Sequence, residues 1–290
     1  MNVLRTKEDV LRFRSDLLKN GDELGLVPTM GALHQGHLEL VQRACAENDT
    51  VLVSVFVNPT QFNNPDDLQK YPRSLEEDLK KLQTLSCDLH VFAPGVSEMY
   101  GSDISARKYD FKGMAEVMEG AFRPGHFDGV GTIVEALLAL ILPKRAYFGE
   151  KDYQQLQIIR QLTRQQKIPV EIIACPIVRE PDGLAMSSRN RLLPKRLRNE
   201  AGFIFQTLKA AETLFGTKSA SRVKDYVRDA FQEHPDFNLE YIEIADSETL
   251  QPVNRKQKNK KYRAFIAAYL GEVRLSDTLA LNEPSLPHDN

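Results

Sequence analysis

The first two thirds of the chain alternate short apolar runs with helical patterns, and this alternation constrains the fold more than any other feature. The runs are five to seven residues long and are rich in β-branched or aromatic side chains. They lie at 24–28, 51–57, 89–94, 145–149 and 170–175. Strands that alternate with helices are typical of a parallel sheet with right-handed crossovers, so we expect an α/β domain.

The pattern changes after about residue 177. Two helices and then three strands are predicted, at 195–215, 219–233, 238–246, 262–271 and 272–278. Because these strands do not alternate with helices, they predict a smaller α+β domain. We therefore expect two domains, 1–176 and 177–290, with the second acting as a lid. A length of 290 residues agrees with two domains of roughly 150 residues each. The last nine residues, NEPSLPHDN, are predicted to be disordered.

Charge and composition exclude several classes of protein. Lys and Arg number 38 against 40 Asp and Glu, so there is no overall attraction to nucleic acid or to an anionic membrane. The charged N-terminal residues lack the apolar core of a signal peptide, and the longest apolar run, 133–142, is far shorter than the ~20 residues of a membrane span. Three scattered cysteines predict neither a disulfide framework nor a zinc finger. These features predict a cytoplasmic protein.

The strongest local motif is PTMGALHQGH at 28–37, where a strand passes through a loop into a helix. Such a loop places backbone N–H groups and the positive end of the helix at the carboxyl edge of the sheet. Gly31 and Gly36 permit close approach of a phosphate, and His34 and His37 can donate hydrogen bonds to its oxygens. The alternatives are a histidine pair that caps the turn or binds a metal. The position of the two histidines beside two glycines favours binding of nucleotide phosphates over these alternatives.

A second cationic motif, FGEKDYQQLQIIRQ at 148–161, also follows a strand and enters a helix. Lys151 can pair with a phosphate, Asp152 can hold a hydrated Mg²⁺, and Gln155 lies one turn further on. The alternative is an ordinary charged start of a surface helix. A lysine there opposes the helix macrodipole, which favours a functional purpose.

A third motif, VREPDGLAMSSRNRLLP at 178–194, lies at the predicted domain boundary. Ser187 and Ser188 can donate hydroxyl hydrogen bonds, and Arg189 adds a forked cationic donor. With Gly183 as a flexible joint, the pattern is typical of a mobile loop that closes on a polyphosphate. A solvated interdomain linker is the alternative.

Two weaker motifs are neutral or mixed in charge. The segment VNPTQFNNPDDLQKYPR at 57–73 carries the amides of Asn58 and Gln61, which suit recognition of a hydroxyl or a carboxylate, and a turn-rich loop is equally compatible with it. The glycine-rich segment at 120–132 contains Arg123 and is a weaker candidate for a further substrate loop.

Together these blocks closely resemble the pantothenate synthetase family, also called the pantoate–β-alanine ligases. The matching blocks are PTMGALHQGH, FVNPTQF, YPR, HFDGVGT, FGEKDYQQ and VREPDGLAMSSRNRLL. They run in the family's order over about residues 24–195, and the C-terminal third matches only loosely. The resemblance implies a Rossmann-like parallel sheet of the nucleotidylyltransferase type, with HQGH as its HIGH-type motif and AMSSR as a degenerate KMSKS-type loop.

The resemblance also implies an activity. ATP and (R)-pantoate would give pantoyl adenylate and pyrophosphate with Mg²⁺, and β-alanine would then displace AMP to give pantothenate, a coenzyme A precursor. It further implies a homodimer built mainly from the first domain. Two alternatives stay open, a nucleotidylyltransferase that acts on a phosphate ester and a non-catalytic nucleotide-binding module. The neutral amides of FVNPTQF favour a hydroxy acid over a phosphate ester.

Residue roles follow from the resemblance position by position. The expected catalytic donors are His34, His37, Lys151 and Arg189. The implied ATP site comprises Met30, Gly31, Ala32, Leu33, His34, Gln35, Gly36, His37, Gly149, Glu150, Lys151, Asp152, Val178, Met186, Ser187, Ser188 and Arg189. Gln61 and Gln155 are expected to bind pantoate, and Gln61 also β-alanine. Asp152 is the candidate metal ligand.

Overall fold

The computed structural model describes residues 1–282, so almost all of the tail predicted to be disordered lies outside the described residues. The described residues form nine strands: β1 Val3–Leu4, β2 Leu24–Thr29, β3 Thr50–Val55, β4 Leu89–Phe92, β5 Arg145–Gly149, β6 Glu171–Cys175, β7 Phe237–Asp246, β8 Tyr262–Leu270 and β9 Val273–Ala280. Their α-helices are α1 Lys7–Asn20, α2 Gln35–Glu47, α3 Pro65–Lys70, α4 Leu75–Leu82, α5 Val96–Tyr100, α6 Glu119–Phe122, α7 His126–Ile141, α8 Tyr153–Gln165, α9 Lys195–Glu200, α10 Phe203–Phe215 and α11 Ala220–Gln232. Short 3-10 turns cover Pro59–Gln61, Glu150–Asp152 and Ser188–Leu192.

The chain divides into two compact units. Unit 1 comprises Met1–Lys112, Arg123–Gly149 and Gln155–Cys175. Unit 2 comprises Gly113–Phe122, Glu150–Gln154 and the chain from Pro176 onwards. Two short segments that precede the predicted boundary thus pack with the C-terminal part of the chain. The roles predicted for the two domains, substrate binding and a lid, stay predictions.

Unit 1 contains a six-stranded sheet in the order β1-β4-β3-β2-β5-β6, and every neighbouring pair is parallel. Residues of β3 are buried on both faces, as its apolar run predicts. The strand order reverses at β2, which pairs with β3 on one side and with β5 on the other. The predicted α/β class is confirmed. No helix of the described residues is long and apolar enough to cross a membrane.

The helices α1 and α4 are capped differently at their starts. Thr6 and Asp9 form a capping box at the start of α1, in which the Asp9 N–H donates to the Thr6 hydroxyl at 3.1 Å and the Thr6 N–H donates to the Asp9 carboxylate at 3.0 Å. Ser74 and Glu77 have the spacing of a capping box at the start of α4, but they do not form one. Ser74 is the N-cap of α4, but with ψ at 56° its hydroxyl makes no capping hydrogen bond.

One cysteine pair corrects the expectation drawn from spacing. Cys45 in α2 and Cys87 before β4 form a disulfide across 42 residues of sequence. The packing of α2 beside the segment before β4 brings their Cα atoms to 5.9 Å, within the range that a disulfide spans. Cys175 is buried at the end of β6. Sequence spacing could not reveal the pair because the contact is tertiary.

Unit 2 contains an antiparallel sheet in the order β7-β8-β9, which confirms the smaller α+β fold. Residues of α10 and α11 pack into its apolar core. The predicted helix 195–215 is interrupted at Ala201–Gly202, between α9 and α10. A Cβ atom at Gly202 would lie 2.8 Å from the Asp182 carbonyl oxygen, so only a glycine, which has no side chain, fits at this position.

Candidate active site

The candidate site begins where the strand order of the unit 1 sheet reverses. The strands β2 and β5 are parallel neighbours there, paired through Leu26 and Ala146. Open α/β sheets bind ligands outside the carboxyl ends of the strands at such a reversal. The first motif follows β2 after Thr29, and the second follows β5 after Gly149. The fold thus puts the start of both predicted phosphate motifs at this edge.

The two histidines of the first motif meet at the start of α2. His34 is the N-cap residue, and its N–H donates to Nδ1 of His37 at 3.3 Å. The ring centroids are 4.0 Å apart, and both side chains are half-buried. Because Nδ1 of His37 accepts a hydrogen bond, the neutral ring carries its proton on Nε2. His37 therefore offers an N–H donor at the positive end of a helix, as a phosphate site requires.

Asp78 is a site-supporting residue that the sequence reasoning missed. Its carboxylate is fully buried and accepts the N–H groups of Ala32 and Leu33 at 2.8 and 2.7 Å. The ammonium of Lys81 donates to the Leu33 carbonyl oxygen at 2.6 Å. The loop N–H groups were expected to face a phosphate, and these two instead bind a carboxylate of the protein. An acidic residue in a charged helix carries no sequence signal for this role.

Gln61 is held in a buried polar cluster with Asn58, Met30 and Tyr100. Its Oε1 accepts from Nδ2 of Asn58 at 3.2 Å, and its Nε2 donates to the sulfur of Met30 at 2.9 Å. The hydroxyl of Tyr100 donates to Oδ1 of Asn58. Burial raises the pKa of Tyr100 above its ordinary value, against the opposing effect of its hydrogen bonds, so the phenol stays neutral. This cluster joins the predicted pantoate residue to a predicted ATP residue.

The glycine-rich motif at 120–132 contacts the same loop. Nδ1 of His126 donates to the Gln61 carbonyl oxygen at 2.7 Å, and Arg123 donates to the same oxygen at 3.5 Å. A Cβ atom at Gly129 would lie 2.3 Å from the Thr60 carbonyl oxygen, so only glycine permits this approach. The motif that looked weakest in the sequence therefore supports the Gln61 loop directly.

Lys151 and Asp152 lie in the 3-10 turn that belongs to unit 2. Nζ of Lys151 is 3.4 Å from Oδ1 of Asp152, whose side chain is 59% exposed. No group of three or more His, Cys, Asp or Glu side chains within residues 1–282 is arranged to hold a metal. Gln155, predicted to bind pantoate, follows in α8 as part of unit 1 and is half-buried.

The AMSSR segment ends a hairpin in unit 2. The Met186 N–H donates to the Val178 carbonyl oxygen at 3.0 Å, and Ser187 caps the following 3-10 turn by accepting the Arg189 N–H at 3.3 Å. The flexibility predicted for the loop at Gly183 stays a prediction, and the structure shows a separate reason for a glycine there. Its φ is +89°, and a Cβ atom would lie 2.1 Å from the Phe205 ring, so the glycine serves a tight and crowded turn.

Two ion pairs anchor this hairpin within unit 2. Arg179 donates to both carboxylate oxygens of Asp277, at 2.6 and 3.1 Å, and its guanidinium lies 4.0 Å from the Phe205 ring centroid. Arg198 pairs with Asp182 in the turn. Burial alone would raise the pKa of Asp182, but the hydrogen bond from Arg198 lowers it below its usual value, so the carboxylate is charged at neutral pH.

Asp277→Ala is expected to destabilise unit 2 by about 3–5 kcal/mol, because it leaves the Arg179 guanidinium without its carboxylate. The Asp277 side chain is only 1% exposed, so water cannot replace it. Urea unfolding measures the loss, and limited proteolysis reports opening of the hairpin. Asp236→Ala is the control, because it breaks the pair with Arg196, whose side chain is 71% exposed. Equal losses in the two variants would contradict the anchoring role of Asp277.

A family model decides where the chain belongs. The model described as pantoate-beta-alanine ligase matches residues 2–280. The chain belongs to the pantoate–β-alanine ligase family. The match extends through the C-terminal third, where the motifs alone resembled the family only loosely. The resemblance drawn from the sequence motifs is therefore confirmed.

Relatives and solved structures agree with the ligase family over nearly the whole chain. The pantothenate synthetase of Christiangramia forsetii is 52% identical over 97% of this chain and 100% of its own length, and that of Bacteroides fragilis is 47% identical over 98% and 100%. A crystal structure of pantothenate synthetase from Thermus thermophilus matches with a TM-score of 0.88 and 42% identity, over 97% of this chain and 99% of that one. The Rossmann-like fold class is thus confirmed.

A further ligase structure was solved with ligands. Pantoate-beta-alanine ligase from Francisella tularensis, complexed with beta-gamma ATP and β-alanine, matches with a TM-score of 0.80 and 36% identity over 99% of this chain and 100% of that one. The individual ligand contacts predicted for this chain stay predictions.

Proposed function

We propose that this chain joins (R)-pantoate to β-alanine in an ATP-dependent, AMP-forming reaction that yields pantothenate, a precursor of coenzyme A. Membership of the pantoate–β-alanine ligase family over residues 2–280 carries this conclusion. ATP and β-alanine as substrates are supported by the ligands of the Francisella tularensis relative. The histidine pair at the carboxyl edge of β2 supplies donors where ATP phosphates would bind.

In the first step a carboxylate oxygen of pantoate attacks the α-phosphorus of ATP. A new P–O bond forms, the bond to the β-phosphate oxygen breaks, and pyrophosphate leaves. This attack concentrates negative charge on the phosphates, so catalysis comes from in-line positioning and from cationic or N–H donors. We assign that stabilisation to His34, His37, Lys151 and Arg189. In this scheme the protein supplies no covalent nucleophile.

In the second step the amine of β-alanine attacks the acyl carbon of the adenylate. The C–N bond forms, the C–O bond to AMP breaks, and the amine loses a proton. We assign pantoate binding to Gln61 and Gln155, and β-alanine binding to Gln61. The Gln61 amide uses one oxygen lone pair to accept from Asn58 and one N–H to donate to Met30. Its second lone pair and its second N–H can therefore recognise a hydroxyl or a carboxylate.

The ATP site comprises the loop and helix start from Met30 to His37, the turn from Gly149 to Asp152, Val178, and the stretch from Met186 to Arg189. Mg²⁺ would accompany ATP and neutralise phosphate charge when bound. Because no three-ligand cluster occurs within the described residues, the phosphates would carry most of its coordination, with the exposed Asp152 carboxylate as the protein ligand. The hairpin that carries AMSSR would help to exclude water from the easily hydrolysed adenylate.

We also propose a homodimer built mainly from unit 1, and a cytoplasmic location. The dimer follows from the family resemblance, and the location from composition and charge. Light scattering on the eluted peak of a size-exclusion column tests the dimer, and a monomer mass would remove it.

A pyrophosphate-release assay tests the proposed activity. With ATP and (R)-pantoate, the enzyme is expected to release pyrophosphate, and added β-alanine is expected to produce AMP and pantothenate in equal amounts. Omitting pantoate is the control and should abolish release. Release with a phosphate ester instead of pantoate would replace this function with a nucleotidylyltransferase activity. ATP binding without release for any acceptor would indicate a non-catalytic module.

A further inference from the structure

Arg263 is a buried cation in the middle strand of the unit 2 sheet. The residue is 4% exposed, and its Nη2 lies 3.1 Å from Oε2 of Glu150. Its guanidinium carbon lies 3.9 Å from the ring centroid of Tyr153, in the geometry of a cation–π contact. Its buried Nε makes no hydrogen bond with any residue that the structure describes. One side chain therefore contacts both ends of the segment from Glu150 to Tyr153.

Stability of the sheet does not account for an arginine at this position. Arg263 pairs with Ala245 on β7 and with Ala280 on β9, so its strand neighbours are small and apolar. Burying a guanidinium costs free energy that one carboxylate contact offsets only in part, and an apolar side chain of similar volume often serves stability as well or better. Because the buried Arg263 side chain leaves one N–H without a hydrogen bond within residues 1–282, its role is better explained by the residues it contacts, Glu150 and Tyr153, than by stability.

The segment that Arg263 holds contains Lys151. The far end of this segment is fixed as well, because the Gln154 amide donates to the carbonyl oxygens of Met114 and Val117 at 2.8 Å each. Its Oε1 accepts the Glu119 N–H at 3.1 Å. The 3-10 turn is thus clamped on both sides of Lys151 by unit 2. Arg263 also holds the carboxylate of Glu150, the residue that directly precedes Lys151 in the chain.

We infer that Arg263 is a positioning residue that orients Lys151 for the ATP phosphates through Glu150 and Tyr153. The inference rests on the proposed function, because it takes Lys151 as a phosphate donor. It predicts that loss of Arg263 affects ATP and leaves pantoate recognition unchanged.

The test compares three variants in the pyrophosphate-release assay. Arg263→Met is expected to raise the KM for ATP by about 10- to 100-fold, because a displaced donor at a reacting centre costs rate and affinity on this scale. The KM for pantoate should stay at the wild-type value. Arg263→Lys, which keeps a cation beside Glu150, should recover much of the ATP affinity. Arg196→Met, which breaks an exposed pair with Asp236 in the same unit, is the matched control and should match wild type.

Two results would overturn the inference. One is a wild-type KM for ATP in Arg263→Met. The other is an equal rise of the KM for ATP and for pantoate in Arg263→Met with no recovery in Arg263→Lys, which is the outcome of a merely structural role. Should Arg263→Met fail to fold, Tyr153→Leu decides, because it removes the contact of the Arg263 guanidinium with the Tyr153 ring. A raised KM for ATP alone then supports the inference, and an unchanged one removes it. A wild-type enzyme that releases no pyrophosphate would overturn the proposed function first, so the two failures are distinguishable.

Discussion

His37→Ala is expected to slow pyrophosphate release by about 10²–10³-fold, which is the cost of removing one donor from the charge developing in a transition state. The expectation follows from geometry, because the Nδ1 atom of His37 accepts the His34 N–H and the ring presents its Nε2–H as a donor. Lys151→Ala is expected to have an effect of the same order. Single-turnover release of pyrophosphate, with enzyme in excess over ATP, measures the step directly.

Two control measurements accompany this prediction. The far-ultraviolet circular dichroism spectrum of His37→Ala should match wild type, because the side chain is half-buried and its loss leaves the apolar core of unit 1 in place. Gln42→Ala, an exposed change on the same helix, should keep the wild-type rate. An unchanged single-turnover rate in His37→Ala or Lys151→Ala would withdraw the role assigned to that residue.

Asp78→Ala is expected to lower the free energy of unfolding by about 2–5 kcal/mol, because it leaves two buried N–H groups without acceptors. These are the N–H groups of Ala32 and Leu33, and neither residue is exposed to water that could replace the carboxylate. Because the same loop leads into the histidine pair, the KM for ATP should rise as well. Urea unfolding followed by circular dichroism measures the first effect, and the pyrophosphate assay measures the second.

Glu76→Ala is the matched control for Asp78→Ala. It removes an acidic residue from the first turn of the same helix, where the side chain is exposed. Helix propensity favours alanine there, and the loss of one charge near the helix start has a small opposing effect. If Asp78→Ala proved no more destabilising than Glu76→Ala, the buried carboxylate could not be holding the loop.

The strands of the parallel sheet, and the motifs at its carboxyl edge, were predictable because each depends on a short stretch of sequence. A run such as 51–57 cannot be half-exposed with so few polar residues, so it predicts a strand covered on both faces, and β3 is one. In a parallel sheet every strand ends at the same edge. Motifs that follow strands therefore begin at that edge without any knowledge of the packing, because β2 and β5 are parallel neighbours.

The partners of the site were not predictable because each contact joins residues far apart in sequence. Asp78 meets Ala32 across 46 residues, and His126 meets Gln61 across 65. Arg263 meets Glu150 across 113. Each of these side chains also occurs in ordinary surface or loop patterns, so its residue type carries no signal. The disulfide of Cys45 with Cys87 was missed for the same reason.

By itself, the sequence determined the α/β class, the family, and the loops whose histidine, lysine and arginine side chains are proposed to bind phosphate. These properties depend on residue types and on short-range spacing, which a chain carries before it folds. Only the tertiary structure decided how the donors are held. It assigned the turn with Lys151 to unit 2 and placed a buried carboxylate against the histidine loop. The physical reason is that a buried polar group needs a partner, and only the folded chain brings that partner within hydrogen-bonding distance.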